Sequence, residues 1–230
     1  ALAVALNDED YEVCAHAAHA LGALGPDARE AIPTLLEVLA NNQDLLVDLL
    51  TGKPTLNLRG YAAGALGRIR SDAETVVPAL VKAAEWHADV QIWNVHSTAL
   101  SALASFGPDA RDAVPACIKI LTETTRKSHN GLRYDAVVAL MEIGADSLPA
   151  LPTLLQIIQD PHDASRHPAC IAVSKMGAKA KGAVPVLIDA LDRDADRFWA
   201  AFALGGIGPD AQAAVPGLTG IVQAPGGRER

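Results

Sequence analysis

Aromatic side chains are scarce in this chain, 4% of 230 residues, although half of the residues are hydrophobic. A core must therefore be built from alanine and branched aliphatics, which suits closely spaced helices better than a sandwich packed on large rings. Strand signals are lacking as well, since no stretch sustains the apolar and polar alternation of a half-buried strand. Cysteine is rare, and Cys14, Cys117 and Cys170 stand at unrelated spacings, which fits neither a disulfide framework nor a zinc pattern. Lys and Arg number 19 against 27 Asp and Glu, for a net charge of −8 and a pI near 5.3. Such a balance argues against a surface made to grip phosphate backbones. The chain has no run of 18 apolar residues, so no membrane span is predicted. It opens at Ala1 rather than at a methionine, which leaves room for a leader or an upstream region, and the compartment is left open with the cytoplasm as default.

What the sequence has in quantity is itself, repeated. LGALGPDAREAIP at 21 to 33 returns as LGGIGPDAQAAVP at 204 to 216. With the glycine of GPDA as a zero mark, the marks fall at Gly25, Arg70, Gly107, Gly144, Gly177 and Gly208, and a proline stands at +8 from each, at Pro33, Pro78, Pro115, Pro152, Pro185 and Pro216. Two columns are alanine throughout: Ala17, Ala62, Ala99, Ala136, Ala169 and Ala200 at −8, and Ala20, Ala65, Ala102, Ala139, Ala172 and Ala203 at −5. Apolar residues at −8, −5, −4 and −1 make one helical stripe, and those at +7, +10, +11 and +14 make a second, so each unit reads as a helical hairpin. The glycine stops the first helix by taking a left-handed conformation. Proline at 26, 108 and 209 suits the start of a new helix, and Asp27, Asp72, Asp109, Asp146 and Asp210 set a negative charge near its N-terminal end. The +8 proline predicts a kink or a fresh helix start in every unit. Arg70 in the glycine column predicts a different turn in the second. The alanine columns predict tight seams between neighbouring units, where a larger residue would overpack the contact at about 1 to 3 kcal/mol.

The combination A-L-G-x-I-G-P-D-A, V-P-x-L and Arg at −11 (Arg59, Arg133, Arg166, Arg197) resembles the HEAT repeat, in particular the short HEAT-like form named after phycobilisome lyases. The resemblance implies an all-α fold: a right-handed α-solenoid, or alpha-alpha superhelix, of about six helical-hairpin repeats, whose second helices line a concave, macromolecule-binding face. The repeats are placed at about 11–41, 55–86, 92–123, 131–160, 163–192 and 194–224. Residues 1–10 then read as the end of a truncated preceding repeat, and 225–230 as a disordered tail. Cys14 and His96 replace the arginine in two units and Lys179 replaces the aspartate in one, so an Arg–Asp ladder between units is predicted to be interrupted there. Connectors are longest around 41–58, 85–95 and 122–132.

No catalytic constellation and no cofactor motif emerge. His16 and His19 lie three apart without a third metal ligand, and Cys117 and Cys170 fall in apolar columns as core filler. Gly52-Lys53 is followed by proline, which excludes a Walker loop, and the His-Glu pairs by which a HEAT-like hydroxylase holds iron are absent. The expected function is a non-catalytic scaffold or adaptor that binds protein through its concave face and connectors, with self-association through the solenoid ends as a further option. Glu37, Lys82 and Lys119 stand in the outward +12 column, Trp86 and Trp93 flank one connector, and Phe198, Trp199 and Phe202 lie largely outside the buried stripe of the sixth unit. The alternatives are a bilin lyase or lyase-like chaperone, suggested by the repeat subtype, and a nucleic-acid-binding HEAT-like protein, disfavoured by acidity.

Overall fold

The computed structural model describes residues 1–41, 57–85, 93–125 and 130–223, with backbone only for 93, 94 and 130. Among the described residues every regular element is helical. The chain divides into two units, Ala1–Ala116 and Cys117–Arg230. The first contains α1 (Leu2–Ala5), α2 (Tyr11–Leu24), α3 (Ile32–Ala40), α4 (Leu58–Ile69), α5 (Ala73–Ala84), α6 (Trp93–Phe106) and the start of α7 (Val114–Glu123). The second contains the rest of α7, then α8 (Asn130–Ile143), α9 (Leu151–Gln159), α10 (Arg166–Met176), α11 (Val184–Leu191), α12 (Arg197–Ile207) and α13 (Val215–Gln223). Even-numbered helices from α2 onward are the first arms of hairpins, and the odd-numbered helix after each is its second arm.

Two contacts recur inside each unit. First arms stack on first arms, α2 on α4 and α4 on α6, then α8 on α10 and α10 on α12. Each second arm also packs on the next first arm, α3 on α4, α5 on α6, α9 on α10 and α11 on α12. The first contact runs through the alanine columns. Every −8 and −5 alanine is at most 4% exposed except Ala20, which is half-buried. A Cβ built on Gly67 would stand 2.7 Å from both Cα and Cβ of Ala102, and one on Gly22 would stand 3.0 Å from Cα of Ala65. These helices approach as closely as they do because neither side carries bulk at the crossing. In the second stripe, residues at +7, +10 and +14 are buried in α3, α5, α7 and α11 (Ile32, Leu35 and Leu39; Val77, Leu80 and Ala84; Val114, Cys117 and Leu121; Val184, Leu187 and Leu191). The +11 residues are half-buried instead, as at Leu36, Val81, Ile118, Leu155 and Ile188.

Five repeats share one turn. A 3-10 segment occupies Gly25–Ala31, Gly107–Ala113, Gly144–Ala150, Gly177–Ala183 and Gly208–Ala214, and the α-helix after it begins one residue before the +8 proline. Proline there needs no N–H, so it starts a helix without loss. The glycines differ from expectation in one respect. Gly25 (φ 60, ψ −138), Gly177 (φ 63, ψ −147) and Gly208 (φ 77, ψ −139) lie outside the left-handed helical well, in a region essentially closed to other residues. Arg70, in contrast, takes the left-handed helical well itself (φ 50, ψ 43), which costs a non-glycine residue about 1 to 2 kcal/mol but is open to it. The second repeat therefore turns differently: Asp72 also has positive φ (56), no 3-10 segment forms, and α5 runs unbroken through Pro78. The expected break at every +8 proline fails there, because the chain enters α5 too early for Pro78 to be its start.

Gly131–Gln159 is apolar enough to suggest a membrane crossing, with mean hydropathy 1.3 over its best window. That stretch is two helices, α8 and α9, separated by the positive-φ turn at Gly144 (φ 73), and their apolar faces, with Leu140, Ile143, Leu154 and Ile158, are buried.

Candidate functional site

The −11 column performs a structural task. A helix leaves its last carbonyls without partners, and a cation near that end is favoured by the backbone dipoles. Arg59 Nε donates to Leu39 O at 2.9 Å, Arg133 Nη1 to Leu121 O at 2.6 Å and Thr124 O at 3.0 Å, and Arg197 Nε to Leu191 O at 2.9 Å. Arg166 reaches the connector instead, donating through Nη1 to Pro161 O at 2.5 Å and Asp163 O at 2.8 Å. Each arginine thus ties a first arm to the end of the preceding hairpin. An Arg–Asp ladder is present too, but on aspartates other than the +2 column. Arg133 Nη2 lies 3.0 Å from Asp163 Oδ2, and Arg166 Nε lies 2.8 Å from Asp196 Oδ1; both aspartates are 2% exposed. Ser165 N also donates to Asp163 Oδ1 at 2.9 Å, and Arg193 Nε lies 2.8 Å from Asp196 Oδ2. The signal for these acids is their place just ahead of the next first arm, not a position measured from the glycine.

On the outer side of this ladder sits an aromatic cluster. The His167 ring stacks on Trp199 with centroids 5.5 Å apart and planes 25° from parallel, while His167 Nε2 lies 3.6 Å from Asp196 Oδ1. Phe198 and Phe202 meet Trp199 edge-on, at 4.9 and 6.3 Å. They stand four apart on α12 and share a face. Trp199 is half-buried, whereas Phe198 is 66% and Phe202 48% exposed. The imidazole is thus stacked on the indole beside the buried acid, and two phenyl rings are left facing solvent. Sequence position places these aromatics outside the core stripe and reads His162, His167 and Asp163 as a surface cluster in a connector; His167 lies instead on α10, and Asp163 is buried.

The other candidates are dispersed. Glu37, Lys82 and Lys119 are all exposed on second arms α3, α5 and α7. Trp86 lies outside the described residues, as does the side chain of Trp93, and so does the tail 225–230. His16 Nδ1 is 2.7 Å from Glu12 O, while His19 Nδ1 is 3.3 Å from Arg68 Nη1, so the two imidazoles serve different neighbours. Cys117 and Cys170 are core filler as expected, and burial pushes both thiols up to about 12; Cys14 is raised as well, chiefly by burial. In the first unit a hollow of about 320 Å³ lies between α2, α4 and α6, bordered by His19, Tyr61, Gly64, Arg68 and Thr98. It opens where Gly64 leaves a gap in the outer face of α4, which the repeat columns did not foretell.

Family comparisons bear on this repeat directly. Residues 119–205 match the model described as HEAT repeats, and residues 58–85 match that of the PBS lyase HEAT-like repeat. These are HEAT repeats. No curated protein matches the chain in sequence. Among solved structures, the HEAT repeats here resemble an engineered protein of the Northeast Structural Genomics Consortium, at TM-score 0.66 and 21% identity over 91% of this chain and 96% of that one. They also resemble the complex of CpcE and CpcF of phycocyanin lyase from Nostoc sp. PCC7120, at TM-score 0.60 and 18% identity over 94% and 91% of the two chains. A second engineered protein matches at TM-score 0.52 and 21% identity over 96% and 71%. At these identities the likeness establishes the helical-repeat fold, and the chemistry of this chain has to be argued from its own residues.

Proposed function

We propose that this HEAT-repeat chain is a non-catalytic scaffold or adaptor segment that binds protein, and that the aromatic cluster of α12 is part of its contact surface. The observation that carries the reading is the exposure of Phe198 (66%) and Phe202 (48%) around a Trp199 already held in place by His167. Pre-ordered aromatics lose little conformational freedom on binding and are enriched among residues that dominate interface energies. The second-arm column Glu37, Lys82, Lys119, Gln156 and Asp189 mixes both signs of charge, which suits a protein partner better than a nucleic acid. Trp86 and Trp93 extend the proposed contact set along a connector.

Cross-linking and mass spectrometry on native extract should identify partners of the wild-type chain. Purified partner should then bind Phe198→Ser/Phe202→Ser at least about tenfold more weakly. Unchanged affinity would remove α12 from the contact surface, and the same comparison with Trp86→Ala/Trp93→Ala decides the connector. The repeat subtype and the likeness to a phycocyanin lyase complex support one competing reading, a bilin lyase or lyase-like chaperone. A coloured covalent adduct, formed when the chain is incubated with bilin and an acceptor protein, would replace the adaptor reading with that one.

A further inference from the structure

The −6 column carries a side chain in every repeat but one: His19, Ser101, Val138, Ile171 and Phe202 stand where the second repeat has Gly64. Outside its own helix, a Cβ built on Gly64 would meet only Thr98 Cγ2, at an ordinary 3.4 Å, so packing does not require glycine there. What the missing side chain leaves is the hollow of about 320 Å³ between α2, α4 and α6, at the lower end of the size range of small-molecule sites. We propose that this hollow binds a small monovalent carboxylate, held by the guanidinium of Arg68.

The lining is rich in donors, and no Asp or Glu is among the described residues that border it. Arg68 has no carboxylate partner among the described residues, although the chain holds 27 acids against 19 bases. Its head is set by an imidazole instead, with Nη1 3.3 Å from His19 Nδ1. A guanidinium cannot accept a hydrogen bond, so Nδ1 is the acceptor, the imidazole proton sits on Nε2, and the other N–H groups of the fork are left for an anion. The stem is placed as well, because its Cδ lies where a Cβ on Gly22 would come within 3.2 Å. Asn57 caps α4 by accepting from Gly60 N at 3.0 Å through Oδ1, which leaves Nδ2 as a second donor at the border. Tyr61, 40% exposed, adds a hydroxyl and the side of a ring, while Gly60, Gly64 and Ala65 contribute no bulk. One cation without an acid balances one negative charge, and the acidic chain around it disfavours a doubly charged phosphate. The planar fork also matches the two oxygens of a carboxylate. The carboxylate is that of a free small molecule or of a glutamate on another protein, and the two sources share this chemistry. None of these residues belongs to the aromatic cluster of α12, so the site stands or falls separately from the contact surface proposed there.

Amide NMR titration of the whole isotope-labelled chain with sodium benzoate, at an ionic strength held constant with sodium chloride, tests this. Benzoate should give saturable shifts at Gly60, Tyr61 and Gly64, and benzyl alcohol, of similar size but uncharged, should bind at least about tenfold more weakly. Arg68→Met keeps an apolar stem beside Gly22 and should weaken benzoate by at least about tenfold, while Arg68→Lys, a charge without the fork, should recover only part of that loss. Gly64→Leu fills the hollow with the charge still present and should abolish the shifts, with thermal melts at or above the wild type showing that the variant is folded. A capped peptide with a single glutamate separates the sources: tighter binding than benzoate assigns the carboxylate to a protein, and weaker binding assigns it to a free small molecule. Benzoate shifts that do not saturate, an unchanged affinity in Arg68→Met, or tighter binding of inorganic phosphate than of benzoate would each overturn the proposal.

Discussion

The two units share a close small-residue contact between first arms and differ in their −11 columns. In Ala1–Ala116 the −11 column reads Cys14, Arg59 and His96, and neighbouring first arms close on each other where Gly22 meets Ala65 and Gly67 meets Ala102. In Cys117–Arg230 the column is all arginine, Arg133, Arg166 and Arg197, and the buried acids Asp163 and Asp196 turn two of them into ion-pair rungs. The task underneath is shared, because each −11 side chain for which a partner has been given donates to a backbone carbonyl of the preceding hairpin or connector. Even Cys14 Sγ does so, to Asp8 O at 3.2 Å. First arms close on each other in the second unit as well, where a Cβ on Gly206 would stand 2.7 Å from Ser174 O, so the charged rungs are added to a small-residue seam rather than replacing it.

The largest effect should come from breaking a rung. Asp163→Ala leaves Arg133 charged and buried without its acid, and should lower the unfolding free energy by about 3 to 5 kcal/mol. Urea denaturation measures it. Arg133→Met/Asp163→Leu, which removes both charges at once, should recover most of that loss, and a double variant as unstable as the single one would show that the rung is not an isolated pair. Next comes the apolar seam. Gly67→Ala should cost about 1 to 3 kcal/mol by forcing α4 away from α6, although alanine favours helix. Gly205→Ala, with open space at the same column, should stabilise by about 0.5 to 1 kcal/mol in thermal melts. If the two changes move the melting temperature in the same direction, contact at the −3 column is not what distinguishes them. The smallest effect sharpens the contrast within the first unit. Arg70→Gly should relieve about 1 kcal/mol of left-handed strain, whereas Gly25→Ala, in a region closed to alanine, should destabilise by about 1 to 3 kcal/mol. Calorimetry showing Arg70→Gly to be destabilising would mean that its backbone strain is outweighed by contacts of the arginine side chain.

Much of this was legible because repeats restate their own constraints. A glycine followed eight residues later by a proline, six alanines in register and an apolar stripe on either side leave few folds besides a stack of helical hairpins, and Arg70 marked in advance the one repeat with a different turn. Partners across the seams were less legible. Asp163 and Asp196 sit in connectors of unequal length, so no fixed offset from the glycine marks them. His167 falls in no apolar column, and its ring meets Trp199 only in the fold. The gap at Gly64 is one small residue in a sequence rich in small residues, and becomes a hollow only when α2 and α6 are set beside it.

The sequence by itself determined the helices, their order, the glycine stops and the alanine-lined faces, because those follow from backbone geometry and from periodicity within a few turns of chain. Only the tertiary structure decided which acid meets which arginine and which aromatic rings face water. Those depend on residues some thirty positions apart being brought together, which a local pattern does not record.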